Sequence, residues 1–247
     1  MPAIDKKLYK IWLIFRGALL GVLLGAALSV LPICGIRRAT QPVFSEPAQV
    51  IFFAEWLIVS AITGGALLPK FAFGDPLLDS LPKSLSRGKR LFKQLMMPAA
   101  ALLFLLLYFA ASGLCQRLDL GVIRGDQITV QMFRFLGLSI ATAGLLLQSY
   151  ALLSSAKTNS KQESGTSDPS LDSPFLQLRH PCFFATLVTL IGIPLVLGTW
   201  YPLFALPGIF VVMKWIVAEQ EKVLLEKFGS AYEQYQSSTH RLLPYFY

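Results

Sequence analysis

The sequence predicts an all-α, polytopic membrane protein of about six transmembrane helices, the last two forming a C-terminal helical hairpin. Of its 247 residues, 54% are hydrophobic and only 15% charged, against about 25% charged in a soluble domain. Apolar runs reach the roughly 20 residues that cross a bilayer at the helical rise, and the mean hydropathy is +0.57. The basic residues fall between these runs instead of clustering with aromatics on one soluble face. A net charge of +8 therefore reads as membrane orientation. The lipid bilayer is the expected partner, and nucleic acid is not.

The first span runs from Ile11 to Cys34, after Lys6, Lys7 and Lys10. Its start resembles a signal peptide, but the apolar stretch outruns the usual h-region of about 7 to 15 residues, so an uncleaved anchor is expected. Gly17, Gly21 and Gly25 recur every four residues on one helix face. That spacing either lets a neighbouring backbone approach closely or reflects the ordinary tolerance of membrane helices for glycine. Further spans run from Gln49 to Leu68 and from Leu95 to Cys115, with Lys70, Lys83, Arg87, Lys89, Arg90 and Lys93 in the loop between them. A fourth lies between Val130 and Ser154. The Ser-rich stretch from Ser155 to Ser173, containing Gly165 and Pro169, predicts a flexible loop.

Beyond Arg179-His180-Pro181, the apolar run Cys182 to Leu197 turns at Gly198-Thr199-Trp200-Tyr201-Pro202 and returns through Leu203 to Val217. Two short arms predict a tight hairpin with Trp200 and Tyr201 at the far interface, where amphipathic rings are enriched. In this arrangement fifteen Lys and Arg lie on one face and four, Arg37, Arg38, Arg117 and Arg124, on the other. The positive-inside bias then places both termini, the polar loop and the charged residues around the hairpin in the cytoplasm. In a bacterium this would be an inner-membrane protein.

Cys34, Cys115 and Cys182 show no metal-ligand spacing. Cys34 and Cys115 would both lie near outer span ends, where a disulfide competes with the simpler reading of small buried apolar residues. Glu55 and Arg134 fall inside spans near those same ends. Arg37 or Arg38 is the expected partner for Glu55, since one acid makes no proton relay. Lys214 reads as a snorkelling cation and His240 as a surface residue.

His180-Pro181 sits where a polar stretch meets an apolar helix, and proline suits the first helical position because its missing N–H would be unpaired there. The free N–H groups and the positive dipole end favour an anion beside Arg179. By itself, this is more simply a capped helix with an arginine reaching for headgroups. Glu221, Leu224, Leu225 and Phe228 share a helix face, Gly229 is a helix stop, and Glu219 points elsewhere. Taken alone, that is an amphipathic helix at a membrane surface. The hairpin changes the balance by returning the chain to its starting face, which brings Arg179 and His180 near Glu221. Opposite charges at a lipid boundary suit a zwitterionic ligand.

The order of these motifs resembles a known family. Arg179-His180-Pro181-Cys182-Phe183, Gln220-Glu221, Phe228-Gly229-Ser230-Ala231-Tyr232-Glu233-Gln234-Tyr235 and Arg241-Leu242-Leu243-Pro244 are similar to the C-terminal signature of the isoprenylcysteine carboxyl methyltransferase and phospholipid methyltransferase superfamily. Arg134 to Leu138 and Ser173-Pro174-Phe175 look like further family positions. The resemblance divides the chain into an N-terminal transmembrane region, 1–128, and a methyltransferase-like membrane domain, 129–247. It implies transfer of a methyl group from S-adenosylmethionine to a lipophilic small molecule or lipidated acceptor, without a metal. It further implies that Arg179 and Glu221 are catalytic, and that Phe175, Leu178, His180, Pro181, Phe183, Gln220 and Glu221 bind the cofactor. The sequence departs from the family pattern at Phe175 and Phe183, where tyrosine is usual, at Ser173 and Ala185, where glycine is usual, and at Gln220, where an acid is usual. Two other readings stand beside this one: an NADPH-dependent membrane sterol or steroid reductase, and a non-catalytic membrane protein that retains the fold.

Overall fold

The computed structural model describes residues 3–36, 46–72, 103–162 and 178–242, which are helical apart from connecting turns and two isolated β-bridges. The helices are α1 (Ala3–Ile36), α2 (Pro47–Ala72), α3 (described over Leu103–Arg117), α4 (Gln127–Gln162), α5 (Pro181–Val196), α6 (Leu206–Phe228) and α7 (Ser230–Ser238). A 3₁₀ turn, Tyr201–Ala205, leads into α6. Four helical segments are long and apolar enough to cross a membrane: Ile11–Val30, Pro47–Ala66, Gln127–Ser154 and Tyr201–Glu226. At 16 residues, α5 spans about 24 Å, short of the roughly 30 Å hydrocarbon core.

One expectation changes. The stretch expected as loop from Ser155 is helical as far as Gln162: it is polar, but no glycine or proline interrupts it before Gly165. The arm returning through Leu203 to Val217, expected to continue as the Glu219 to Phe228 segment, does so, and α6 runs unbroken to Phe228. Phe175, Arg37, Arg38, the start of the third span at Leu95 and most of the basic loop lie outside the described residues.

Helices that bury no aqueous interface against each other associate through close packing, and two seams of small residues supply it. On α1 the Gly17, Gly21, Gly25 face is a contact face. A Cβ on Gly21 would sit 2.1 Å from the Ser60 carbonyl oxygen of α2, and one on Gly64 of α2 would sit 2.1 Å from the Gly17 oxygen. Trp56 of α2 donates its indole N–H to the Gly25 carbonyl at 3.2 Å. The second seam joins Gly137, Ala141 and Gly144 of α4 to Ala185, Thr189 and Gly192 of α5.

One core cluster runs through both halves of the chain, joining Phe52, Phe53 and Trp56, Tyr108 and Phe109, Leu145, and Leu190 and Ile193. Within α5, Pro194 has no N–H for the Leu190 carbonyl. Tyr108 fills that vacancy, its hydroxyl donating to Leu190 O at 2.7 Å. Cys115 and Cys182 are free thiols, and the side chain of Cys34, the other half of the disulfide considered above, lies outside the described residues.

Candidate functional site

Pro181 opens α5 as expected, with His180 as the preceding residue. Leu178, 1% exposed, forms a parallel bridge with His240, and the Arg179 N–H donates to the His240 carbonyl at 2.8 Å. These contacts fix the chain just before α5 and aim Arg179 at α6. There, Ile209, Met213 and Val217 form a buried stripe with a four-residue repeat. Glu221 is the next position in that stripe, 4% exposed. Its face continues this stripe, whereas Leu225, expected beside it, is 37% exposed.

The carboxylate is enclosed by three basic side chains. Arg179 Nε donates to Glu221 Oε1 at 2.9 Å, and Arg241 Nη2 lies 2.5 Å from Oε2. Oε2 has no aligned hydrogen bond, so the Arg241 contact is an ion pair of poor angle. Arg179 Nη1 also donates to the carbonyls of Gln236, at 2.7 Å, and Thr239, at 2.9 Å. His180 Nε2 lies 3.4 Å from Glu221 Oε1, yet is buried without a hydrogen bond among the described residues. Its ring packs edge-on against Phe183, centroids 6.0 Å apart. Glu219 turns to the surface and pairs with Lys222 at 2.7 Å.

Burial holds the His180 imidazole below its usual pKa. The Glu221 charge pulls the other way, while Arg179 and Arg241 add to the lowering. The folded state therefore keeps His180 neutral at a pH where the unfolded chain, with an ordinary value of 6.5, takes up a proton. Stability rises with pH wherever the unfolded chain binds more protons, so it is expected to fall as pH drops below about 6.5 and to level off above. Thermal midpoints in detergent between pH 5 and 8 check this. A His180→Gln variant should flatten the slope, and an unchanged slope would assign it to another group.

Of the expected site residues, the fold brings together Arg179, His180, Pro181, Phe183 and Glu221, with the half-buried Gln220 adjacent on α6. Leu178 is fully packed in the bridge rather than open to a ligand. Sequence reasoning gave Arg241 no partner. Its place in the Arg-x-x-Pro motif was the available signal, but only the fold pairs it with Glu221. Tyr232 and Tyr235 lie alongside, ring centroids 6.0 Å apart, and burial raises both phenols.

Arg134 lies at the opposite end of α5, against the Gly198 turn. It pairs with Glu46 at 2.5 Å, and Gln131 also donates to Glu46. The Arg134 hydrogen bond, chiefly, lowers the Glu46 pKa. Glu55 accepts a hydrogen bond from Thr142 at 2.7 Å. An open concavity of about 500 Å³, lined by Gln127, Ile128, Gln131, Met132 and Phe135, also lies at this end, away from Glu221. No protein-family model, curated protein or solved structure matches this chain. Any functional reading rests on its own residues and their geometry.

Proposed function

We propose that this protein is an integral-membrane methyltransferase that moves a methyl group from S-adenosylmethionine to a lipophilic or amphiphilic acceptor. In this reading α3 and α5 complete six crossings, α5 and α6 act as the C-terminal hairpin, and the Glu221 cluster and both termini face the cytoplasm. One observation carries the proposal: Arg179 and His180 meet Glu221 across more than forty residues of chain, at the mouth of an apolar bundle. The donor set fits the cofactor. S-adenosylmethionine offers a carboxylate, an ammonium and ribose hydroxyls; Arg179, the unbonded His180 Nε2 and the α5 N-terminus suit the anion, and Glu221 with Gln220 suits the cation and hydroxyls. When bound, the cofactor supplies an electrophilic methyl carbon on sulfur. The chain's own work is to orient it and to keep water from the acceptor's approach.

A specific observation favours a second reading. Glu221 is paired with two guanidinium groups and almost wholly buried, which also suits a structural clamp in a non-catalytic membrane protein. Binding separates these readings. The methyltransferase is expected to bind S-adenosylhomocysteine saturably in detergent and to bind it more weakly as Arg179→Lys, which keeps the charge but loses the fork geometry. Membranes given methyl-labelled cofactor should yield a labelled lipophilic product. Saturable binding of NADPH instead would point to a reductase, and binding of neither would leave the clamp.

A further inference from the structure

We infer that the segment from Gly229 to Leu242 is a strap that seals the Glu221 cluster and swings away at Gly229 to admit a ligand from the aqueous side. The cluster is closed as folded: the side chains of Arg179 and His180 are each 10% exposed and that of Glu221 4%. No molecule reaches the carboxylate past them without something moving. Much of the cover is the strap itself. It is held by the Leu178–His240 bridge, by three hydrogen bonds from Arg179 to the carbonyls of Gln236, Thr239 and His240, and by the Arg241–Glu221 pair. Leu242, 0% exposed, anchors its end.

These contacts gather at the distal end, which makes release local. A nine-residue helix such as α7 is marginal by itself. It has no side-chain N-cap, and its C-terminal carbonyl at Gln236 is held by Arg179 from outside. Gly229, at φ 55° and ψ −132°, adopts a conformation reserved for glycine, and a Cβ there would meet nothing within 4 Å. Ser230, Glu233, Gln234, Ser237 and Ser238 are exposed, so the outer face of the strap suits water. Opening withdraws Arg241 and leaves Arg179 in place before α5. Glu221 then exchanges one guanidinium for the cationic or hydroxyl groups of a water-soluble zwitterion. The choice of S-adenosylhomocysteine as probe rests on the methyltransferase reading; the strap does not.

Hydrogen exchange read by mass spectrometry on the full chain in detergent tests this. Amides from Gly229 to Leu242 are expected to exchange as one unit, at least about tenfold faster than α5 and α6, as local opening does. Arg241→Gln should speed that unit by roughly another tenfold or more without touching α5. A Leu178→Cys/His240→Cys pair in a Cys182→Ser background bridges positions at ladder spacing. Oxidised, it should slow the unit and abolish S-adenosylhomocysteine binding, and reduction should restore both. Strap exchange no faster than α5 and unmoved by Arg241→Gln would overturn the inference, as would undiminished binding to the oxidised pair. Independent opening in a protein that never binds the probe would sink the cofactor reading and leave the strap standing.

Discussion

Glu221→Ala is expected to cost about 3 to 5 kcal/mol of stability, because removing one member of a buried ion pair strands the others. Here two guanidinium groups would be left facing each other where one carboxylate now separates them. Arg179 would keep its bonds to the Gln236 and Thr239 carbonyls, while Arg241 would lose its ion pair with Glu221. The double variant Glu221→Ala/Arg241→Ala should therefore recover part of the loss. Chemical denaturation in detergent, followed by tryptophan fluorescence, measures both. A loss under about 1 kcal/mol would mean that the pair is solvated like a surface salt bridge, and the sealed cluster would not survive that result.

Gly192→Val is expected to be as damaging for a different reason. A Cβ at Gly192 would fall 2.5 Å from the Ala141 nitrogen and 2.6 Å from the Gly137 oxygen of α4. Backbone atoms cannot rotate away as side chains do, so α4 and α5 must separate along the seam. Overpacking usually costs about 1 to 3 kcal/mol, and a backbone clash belongs at or above the upper end. Gly208→Val is the matched control, since nothing lies within 4 Å of its Cβ. The yield of monodisperse protein and its thermal midpoint should drop for the first and stay near wild type for the second. Equal behaviour would show that the seam tolerates a gap.

The helical membrane character was legible because it depends on composition and run length, which need no knowledge of contacts. Local stop and start signals were legible too: Pro181 opens α5 and Gly229 closes α6. Small-residue packing was visible at Gly17, Gly21 and Gly25, yet the same rule applied to Gly137, Ala141 and Gly144 would have found the second seam. The end of α4 was placed too early because polarity was taken for a helix break. Glu46 was invisible as a partner for Arg134: they are 88 positions apart in the sequence numbering, and neither lies in a motif that names the other.

Residue order alone determined that this chain is a bundle of apolar helices and that Arg179 and His180 stand at the start of α5 and Glu221 towards the end of α6. Those features follow from hydropathy and helical periodicity, which are local properties of the chain. Only the tertiary structure decided that Glu221 is shared by Arg179 and Arg241, that His180 keeps an unbonded nitrogen in a buried site, and that Arg179 is tied to the end of α7 through the Gln236 carbonyl. Charge pairing depends on distances between segments far apart in sequence, and burial depends on what folds over them. Neither is encoded at any one position.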